Sequence, residues 1–236
     1  MSKLLVVTGG SRGIGRAVVR RFAAAGFDAA VCARTMQPLR TLKEEVEKEY
    51  HTKVYIFQAD LSDVAQVKAF TRFVIDLNRA VDVLVNNSGL FVSGDLITEP
   101  DGNVETMIEA NLYSAYHMTR GLVPAMKSLH AGHIFNMCSI ASFTAYPNGG
   151  SYAISKFALL GFSRCLREEL KPHGIRVTSV MPGATYTQSW QASGLPEDRF
   201  IPAEDVAEMV FCSFSLSPRS VVEDIVIRPM LGDIHD

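Results

Sequence analysis

Short β-rich runs alternate with longer helical ones along all 236 residues, and this alternation constrains the fold more than any other feature. Residues 4–7, 29–33, 54–57, 81–85, 133–137, 175–181 and 221–227 read as strands. Between them, helices are expected over 14–25, closed by Gly26, and over 38–50, with Pro38 in the first turn. Asp63 and Gln66 make a capping pair for a third, which runs to about Arg79. Three more are expected over 103–129, 151–171 and 203–214. Right-handed crossovers then give one doubly wound α/β domain over 1–236, with a seven-stranded, mainly parallel sheet and helices on both faces. The irregular stretch at about 187–202 is a candidate lid.

Composition narrows the partners. With 47% hydrophobic and 20% charged residues, the chain can fill a core. A net charge of −2 offers no basic face to a nucleic acid. No apolar run reaches the roughly 18 residues of a membrane span, and the N-terminus is too soon interrupted by glycine to be a signal peptide. Cys32, Cys138, Cys165 and Cys212 are scattered, which argues against a disulfide framework or metal site and for a reducing cytoplasm. His130 and His133 flank Gly132 in a polar stretch and read as a solvated loop.

Chemistry collects at the strand ends, which share one edge in an open parallel sheet. After the first strand comes Thr8-Gly9-Gly10-Ser11-Arg12-Gly13-Ile14-Gly15. Glycines let the backbone approach a pyrophosphate, and the helix behind offers free N–H groups. After the second strand comes Arg34, where a chain that prefers NAD carries a carboxylate. A guanidinium there pairs with a 2′-phosphate, and Arg12 adds a second cation, so the expected cofactor is NADP(H). Asp60-Leu61, Asn86-Asn87-Ser88-Gly89, Ser139 and Pro182-Gly183-Ala184-Thr185-Tyr186-Thr187 follow the later strands.

Tyr152 and Lys156 lie four apart on one helix face. Tyrosine titrates near 10, so use near pH 7 asks for ~3 units, or ~4 kcal/mol, and a nearby ammonium supplies part of it. Alone, such a pair usually marks a helix surface. Ser139, thirteen residues earlier at a strand end, gives it a partner that can hold a carbonyl.

As a set and in this order, the glycine loop, Asn86-Asn87-Ser88-Gly89, Asn111, Ser139, Tyr152-x-x-x-Lys156 and Pro182-Gly183 resemble the short-chain dehydrogenase/reductase family over essentially the whole chain. The resemblance implies a Rossmann-type fold and an NADP(H)-dependent oxidoreductase interconverting a ketone and a secondary alcohol. It implies cofactor contacts by Gly9, Ser11, Arg12, Gly13, Ile14, Gly15 and Arg34, with Asp60 and Leu61 at the adenine and Asn87, Ser88 and Gly89 beneath the cofactor. Tyr152 would be the general acid/base, and Lys156 would bond the nicotinamide ribose and depress the tyrosine pKa. Ser139 would orient the carbonyl, and Asn111 would hold a water of a proton relay. Pro182, Gly183, Thr185 and Thr187 would hold the carboxamide and diphosphate. Transfer of the pro-S hydride and a homo-oligomer, dimer or tetramer, are also implied. Two features depart from the family: Ser88 in place of alanine, and a C-terminus running Ile227-Arg228-Pro229-Met230-Leu231-Gly232-Asp233 where relatives carry an Asp-Gly-Gly run.

The substrate pocket is expected among Leu90, Phe91, Val92, Ile140, Ala141, Phe143, Tyr146 and Trp190, an apolar set that suits an apolar carbonyl. A 3-oxoacyl thioester is one option, with an acidic acyl-carrier partner meeting Arg120, Lys127, Arg164 and Arg167; a small ketone, diketone or hydroxy acid is another. The alternative from a different class is a non-catalytic, NADP-binding redox-sensing regulator. An epimerase or dehydratase on this fold would need an additional substrate domain.

Overall fold

The structure is a computed structural model that describes residues 2–187, 190 and 194–234. Its centre is β1 (Leu4–Thr8), LLVVT, buried throughout as a parallel strand covered on both faces must be. Period-two alternation divides β1 between two cores. Leu5 and Val7 pack with Val18, Phe22, Leu39 and Val210 on one face, while Leu4 and Val6 pack with Phe70, Met118, Leu122 and Leu166 on the other.

The remaining strands are β2 (Asp28–Ala33), β3 (Val54–Gln58), β4 (Val83–Asn86), β5 (Gly132–Met137), β6 (Ile175–Pro182) and β7 (Asp224–Ile227). They pair in the order β3-β2-β1-β4-β5-β6-β7, all parallel. The crossover helices are α1 (Gly13–Ala23), α2 (Met36–Tyr50), α3 (Val64–Asp76), α4 (Asn103–Ile108), α5 (Ser114–Leu129), α6 (Gly150–Leu170) and α7 (Ala203–Ser215). The chain first builds outward from β1 through β2 to β3, then returns to place β4 on the other side of β1. That reversal opens a crevice beyond the carboxyl ends of β1 and β4. Among the described residues no helix is long and apolar enough to cross a membrane.

Three local outcomes differ from the sequence expectations. The helix expected over 103–129 is interrupted by a π-helical turn, Glu109–Tyr113, between α4 and α5. Such a wide turn shifts the helix face by a fraction of a turn, and it carries Asn111, fully buried, inward. His133 is not in a solvated loop: it sits in β5 with no exposed surface, its Nε2 2.8 Å from Thr178 Oγ1 on β6 and its ring stacked on Phe135. The parallel sheet claims it, because β5 is covered on both sides. At α3 the Asp63 carboxylate accepts from Ala65 N–H, and Gln66 donates to that carboxylate rather than reaching the Asp63 backbone. The Gln66 oxygen instead accepts from Asp60 N–H at 2.8 Å, fixing the end of β3.

Candidate active site

Two cavities open along the carboxyl edge of the sheet. The larger, ≈ 530 Å³, borders the β1–α1 turn at Gly9, Ser11, Arg12, Gly13 and Ile14, and the ends of β2 and β3 at Arg34, Asp60 and Leu61, with Ser88 on the β4 side. The smaller, ≈ 280 Å³, is lined by Ser139, Tyr152 and Lys156, by Pro182, Gly183 and Thr185, and by Trp190. Ile14, Asn87, Gly89, Leu90 and Thr187 line both, so the two make one elongated cleft.

The β1–α1 turn owes its shape to close backbone approach. Gly13 has φ +51°, and α1 opens there without a side-chain cap, so its first-turn N–H groups have no partner within the helix. A Cβ on Gly15 would lie 2.5 Å from Asn87 Nδ2 and 2.6 Å from the Gly9 carbonyl. Gly15 therefore packs behind the turn and is not among the residues that line either cavity. Asn87 closes the crevice between β1 and β4, donating from Nδ2 to the Thr8 and Gly9 carbonyls at 3.0 Å each. Thr8 Oγ1 in return accepts from the N–H groups of Asn87 and Ser88.

In the smaller cavity the side chains come from separate elements. Ser139 follows β5 by two residues and caps a 3₁₀ turn, Ile140–Ser142, accepting from Ala141 N–H at 3.1 Å while Ser142 Oγ accepts from Ser139 N–H. One turn of α6 separates Tyr152 from Lys156, and the ammonium lies 5.7 Å from the tyrosine ring centroid. Lys156 Nζ donates to the Met137 carbonyl at 2.8 Å. Phe91 meets the Tyr152 ring edge-on, with centroids 5.0 Å apart. Asn111 lies behind the wall, donating from Nδ2 to Leu90 O and Ser155 Oγ and accepting from Leu90 N–H at 2.6 Å.

Burial sets the electrostatics here. It pushes the Tyr152 phenol up to about 12, with side-chain hydrogen bonding from Ser139 working in the opposite direction. It pushes the Lys156 ammonium down to about 8. For the phenol, desolvation outweighs the attraction of a neighbouring ammonium for the phenolate. A charged phenolate loses more by leaving water than it regains from an ammonium that is itself desolvated and bonded to a backbone carbonyl.

Of the expected pocket wall, Leu90, Phe91 and Trp190 line the smaller cavity. Val92, Ile140, Ala141, Phe143 and Tyr146 are not among its lining residues; Ala141 is buried in the 3₁₀ turn, and Phe143 and Tyr146 are 42% and 39% exposed. The candidate lid lies in part outside the described residues, at 188, 189 and 191–193; Thr187 and Trp190 belong to the cleft. The two arginines of the basic set on α6 lie away from Tyr152. Helical rise puts Arg164 and Arg167 about 18 and 22 Å beyond Tyr152 along α6, where they pair with Asp224 and with Glu168 and Glu223. Sequence reasoning passed over Cys138 and Met137, which line the smaller cavity, and Thr106 and Ala110, which line the larger one. The last two stand one helical turn apart, a spacing that signals a shared face once α4 is known to point at the cleft.

Comparison with known proteins agrees with this geometry. The family described as short chain dehydrogenase matches residues 3–198. A protein named sepiapterin reductase from Chlorobaculum tepidum is 32% identical over 247 residues, covering 100% of each chain. An alcohol dehydrogenase from the archaeon Thermococcus sibiricus, solved in complex with 5-hydroxy-NADP, superposes with a TM-score of 0.91 at 27% identity, covering 100% of both chains. A metagenomic short-chain oxidoreductase in complex with NADP superposes with a TM-score of 0.85 at 30% identity over 97% of each. This chain belongs to the short-chain dehydrogenase/reductase family of oxidoreductases.

Proposed function

We propose that the protein is an NADP(H)-dependent oxidoreductase that interconverts a ketone and a secondary alcohol, with Tyr152 as general acid in reduction and general base in oxidation. One observation carries the reading: the cavity that joins Ser139, Tyr152 and Lys156 runs without a break into the cleft bordered by Arg12 and Arg34. The donor set of the larger cleft fits a 2′-phosphorylated dinucleotide. Uncapped N–H groups of α1 suit a diphosphate, and the exposed Arg34 at the end of β2 suits a 2′-phosphate, as the relatives solved with NADP or its derivative support.

The residues divide the work. Gly9, Ser11, Arg12, Gly13, Ile14 and Arg34 would hold the phosphates; Asp60 and Leu61 would border the adenine; Asn87, Ser88 and Gly89 would form the floor. Pro182, Gly183, Thr185 and Thr187 would hold the nicotinamide end, Thr185 with its own hydroxyl donated to Gly183 O. When bound, the nicotinamide supplies or takes up the hydride. Ser139 fixes the carbonyl oxygen by hydrogen bonding, and Tyr152 delivers the proton to that oxygen. A phenol held near 12 is fully protonated at neutral pH, ready to act as the acid. Lys156 contributes positive charge beneath the site, and Asn111, locked to Leu90 and Ser155, keeps the loop after β4 in place beside it. Leu90, Phe91 and Trp190 give the cavity an apolar wall and exclude water, which favours an apolar carbonyl substrate.

The test is NADPH oxidation with a panel of ketones, diketones and 3-oxoacyl thioesters, with sepiapterin included because a relative bears its name. Tyr152→Phe is expected to lower kcat about 10²–10⁴-fold with NADPH affinity unchanged. Equal turnover by parent and variant would overturn the role of Tyr152, and a parent that binds NADPH but turns over no member of the panel would leave a non-catalytic NADP-binding role.

A further inference from the structure

We propose that Glu99 is a positioning residue for the proposed acid/base tyrosine, acting as a strap between the loop after β4 and the first turn of α6. The helix that carries Tyr152 starts poorly on its own. Its N-cap is Gly149, which supplies no side-chain bond to the first-turn N–H groups. Glu99 comes to that end from the loop: one carboxylate oxygen accepts the hydroxyl of Ser151, the residue before Tyr152 and itself buried. The other oxygen accepts from Asn103 Nδ2 at 3.3 Å, at the first residue of α4. One carboxylate thus joins the starts of the two helical segments that lead to Tyr152 and to Asn111. Its negative charge also lies at the positive end of α6.

Independent contacts bind the same loop to the same place. Gly94 N–H donates to the Asn148 carbonyl at 2.9 Å, Ser93 Oγ donates to that carbonyl as well, and Gly94 and Gly149 form a parallel bridge. Asn148 holds φ +59°, a conformation that costs energy for a residue with a side chain and that the strap can hold in place. Leu96 covers Gly150 so closely that a Cβ there would lie 2.9 Å from Leu96 Cβ. At its other end the loop carries Phe91, whose ring meets Tyr152 edge-on. The segment from Phe91 to Glu99 therefore grips Tyr152 from both sides: at the ring through Phe91, and at the backbone through Ser151. Proton transfer is sensitive to displacements well under 1 Å, so loosening this grip acts on kcat before it acts on cofactor binding, whose proposed phosphate and adenine contacts lie at the other end of the cleft.

The test uses the full chain, with kcat and KM for a ketone, thermal melting, and NADPH affinity followed by fluorescence of Trp190, the single tryptophan, which lines the cavity. Glu99→Ala is expected to lower kcat about tenfold with NADPH affinity within about twofold of the parent. Glu99→Gln, whose amide oxygen can still accept from Ser151, should recover most of the loss. Ser151→Ala should reproduce the loss, and the double variant should add little to it. The strap is overturned by a Glu99→Ala variant that keeps its kcat, by a glutamine variant as poor as alanine, or by losses in the double variant that multiply. If Glu99→Ala fails to fold, Ser151→Ala decides alone, a fall in kcat supporting the strap and an unchanged kcat overturning it. The inference rests on Tyr152 as the acid/base, and the two fail differently. An active Tyr152→Phe removes the proposed function, whereas an inactive Tyr152→Phe beside an unchanged Glu99→Ala removes only the strap.

Discussion

The β1–β3 half of the cleft and the β4–β7 half are built on opposite principles. In the first, the groups that border the cavity include the glycine-rich β1–α1 turn and two arginines at the surface, Arg12 and Arg34. In the second they are recessed: Ser139 is 9% exposed, Lys156 4% and Asn111 not at all. A polyanion is held well by cations that remain solvated until it arrives, because no desolvation cost is incurred beforehand. In the recessed half, withdrawal from water moves the Tyr152 phenol up and the Lys156 ammonium down from their ordinary values. In the proposed function, one half binds the cofactor and the other transfers the proton.

That division can be broken by exchanging the symptoms. The largest effect is expected in Tyr152→Phe, where turnover falls and NADPH affinity holds. Next is Arg34→Asp, which should weaken NADPH binding by about 1.5–3 kcal/mol, or roughly ten- to a hundredfold, with NADH affinity little changed and kcat at saturation preserved. A direct titration of both cofactors checks it, and equal losses for the two would remove the 2′-phosphate role. The third concerns pH. Lys156 holds its proton below about 8 and releases it above, so ketone reduction should decline as pH rises through that value. Lys156→Arg, which stays charged, should carry the falling limb to higher pH; a limb that does not move assigns it to another group. The smallest effect is on stability and belongs to the recessed half. Burial holds the His133 imidazole well below its ordinary value, so the unfolded chain takes up that proton first. Its effect is nil above the unfolded pKa of about 6.5, and stability declines as pH falls below it, by at most about 1.4 kcal/mol per unit. Urea midpoints at pH 7 and pH 5 should separate less in His133→Asn than in the parent.

The two halves also differed in how far they could be read in advance. The β1–α1 turn spends its glycines within eight residues, and its demands are local: a positive φ at Gly13 and no room for a Cβ at Gly15. Arg34 needed only its place after a strand. In the other half, Tyr152 and Lys156 were legible as a face of one helix and Ser139 as a strand end, but not the state of the phenol. Its pKa depends on burial by elements distant in the chain, which raises it. The π turn at Glu109–Tyr113 was invisible for a related reason: periodicity continues through it, and only the packing of Asn111 against Leu90 and Ser155 uses the altered face. Phe143 and Tyr146 have the right composition for a pocket wall, yet both are partly exposed and neither lines the cavity.

By itself, the sequence determined the alternation of strands and helices, the parallel sheet, the edge at which the chemistry gathers and the residue types gathered there. Those follow from periodicity and from local backbone constraints, which act within a few neighbours. Tertiary structure alone decided that two cavities join into one cleft, that Gly15 supports the turn from behind, that Lys156 bonds the Met137 carbonyl, and that Glu99 reaches the start of α6. Each of these depends on distance and desolvation between residues far apart in the chain, quantities that exist only after the sheet has closed around them.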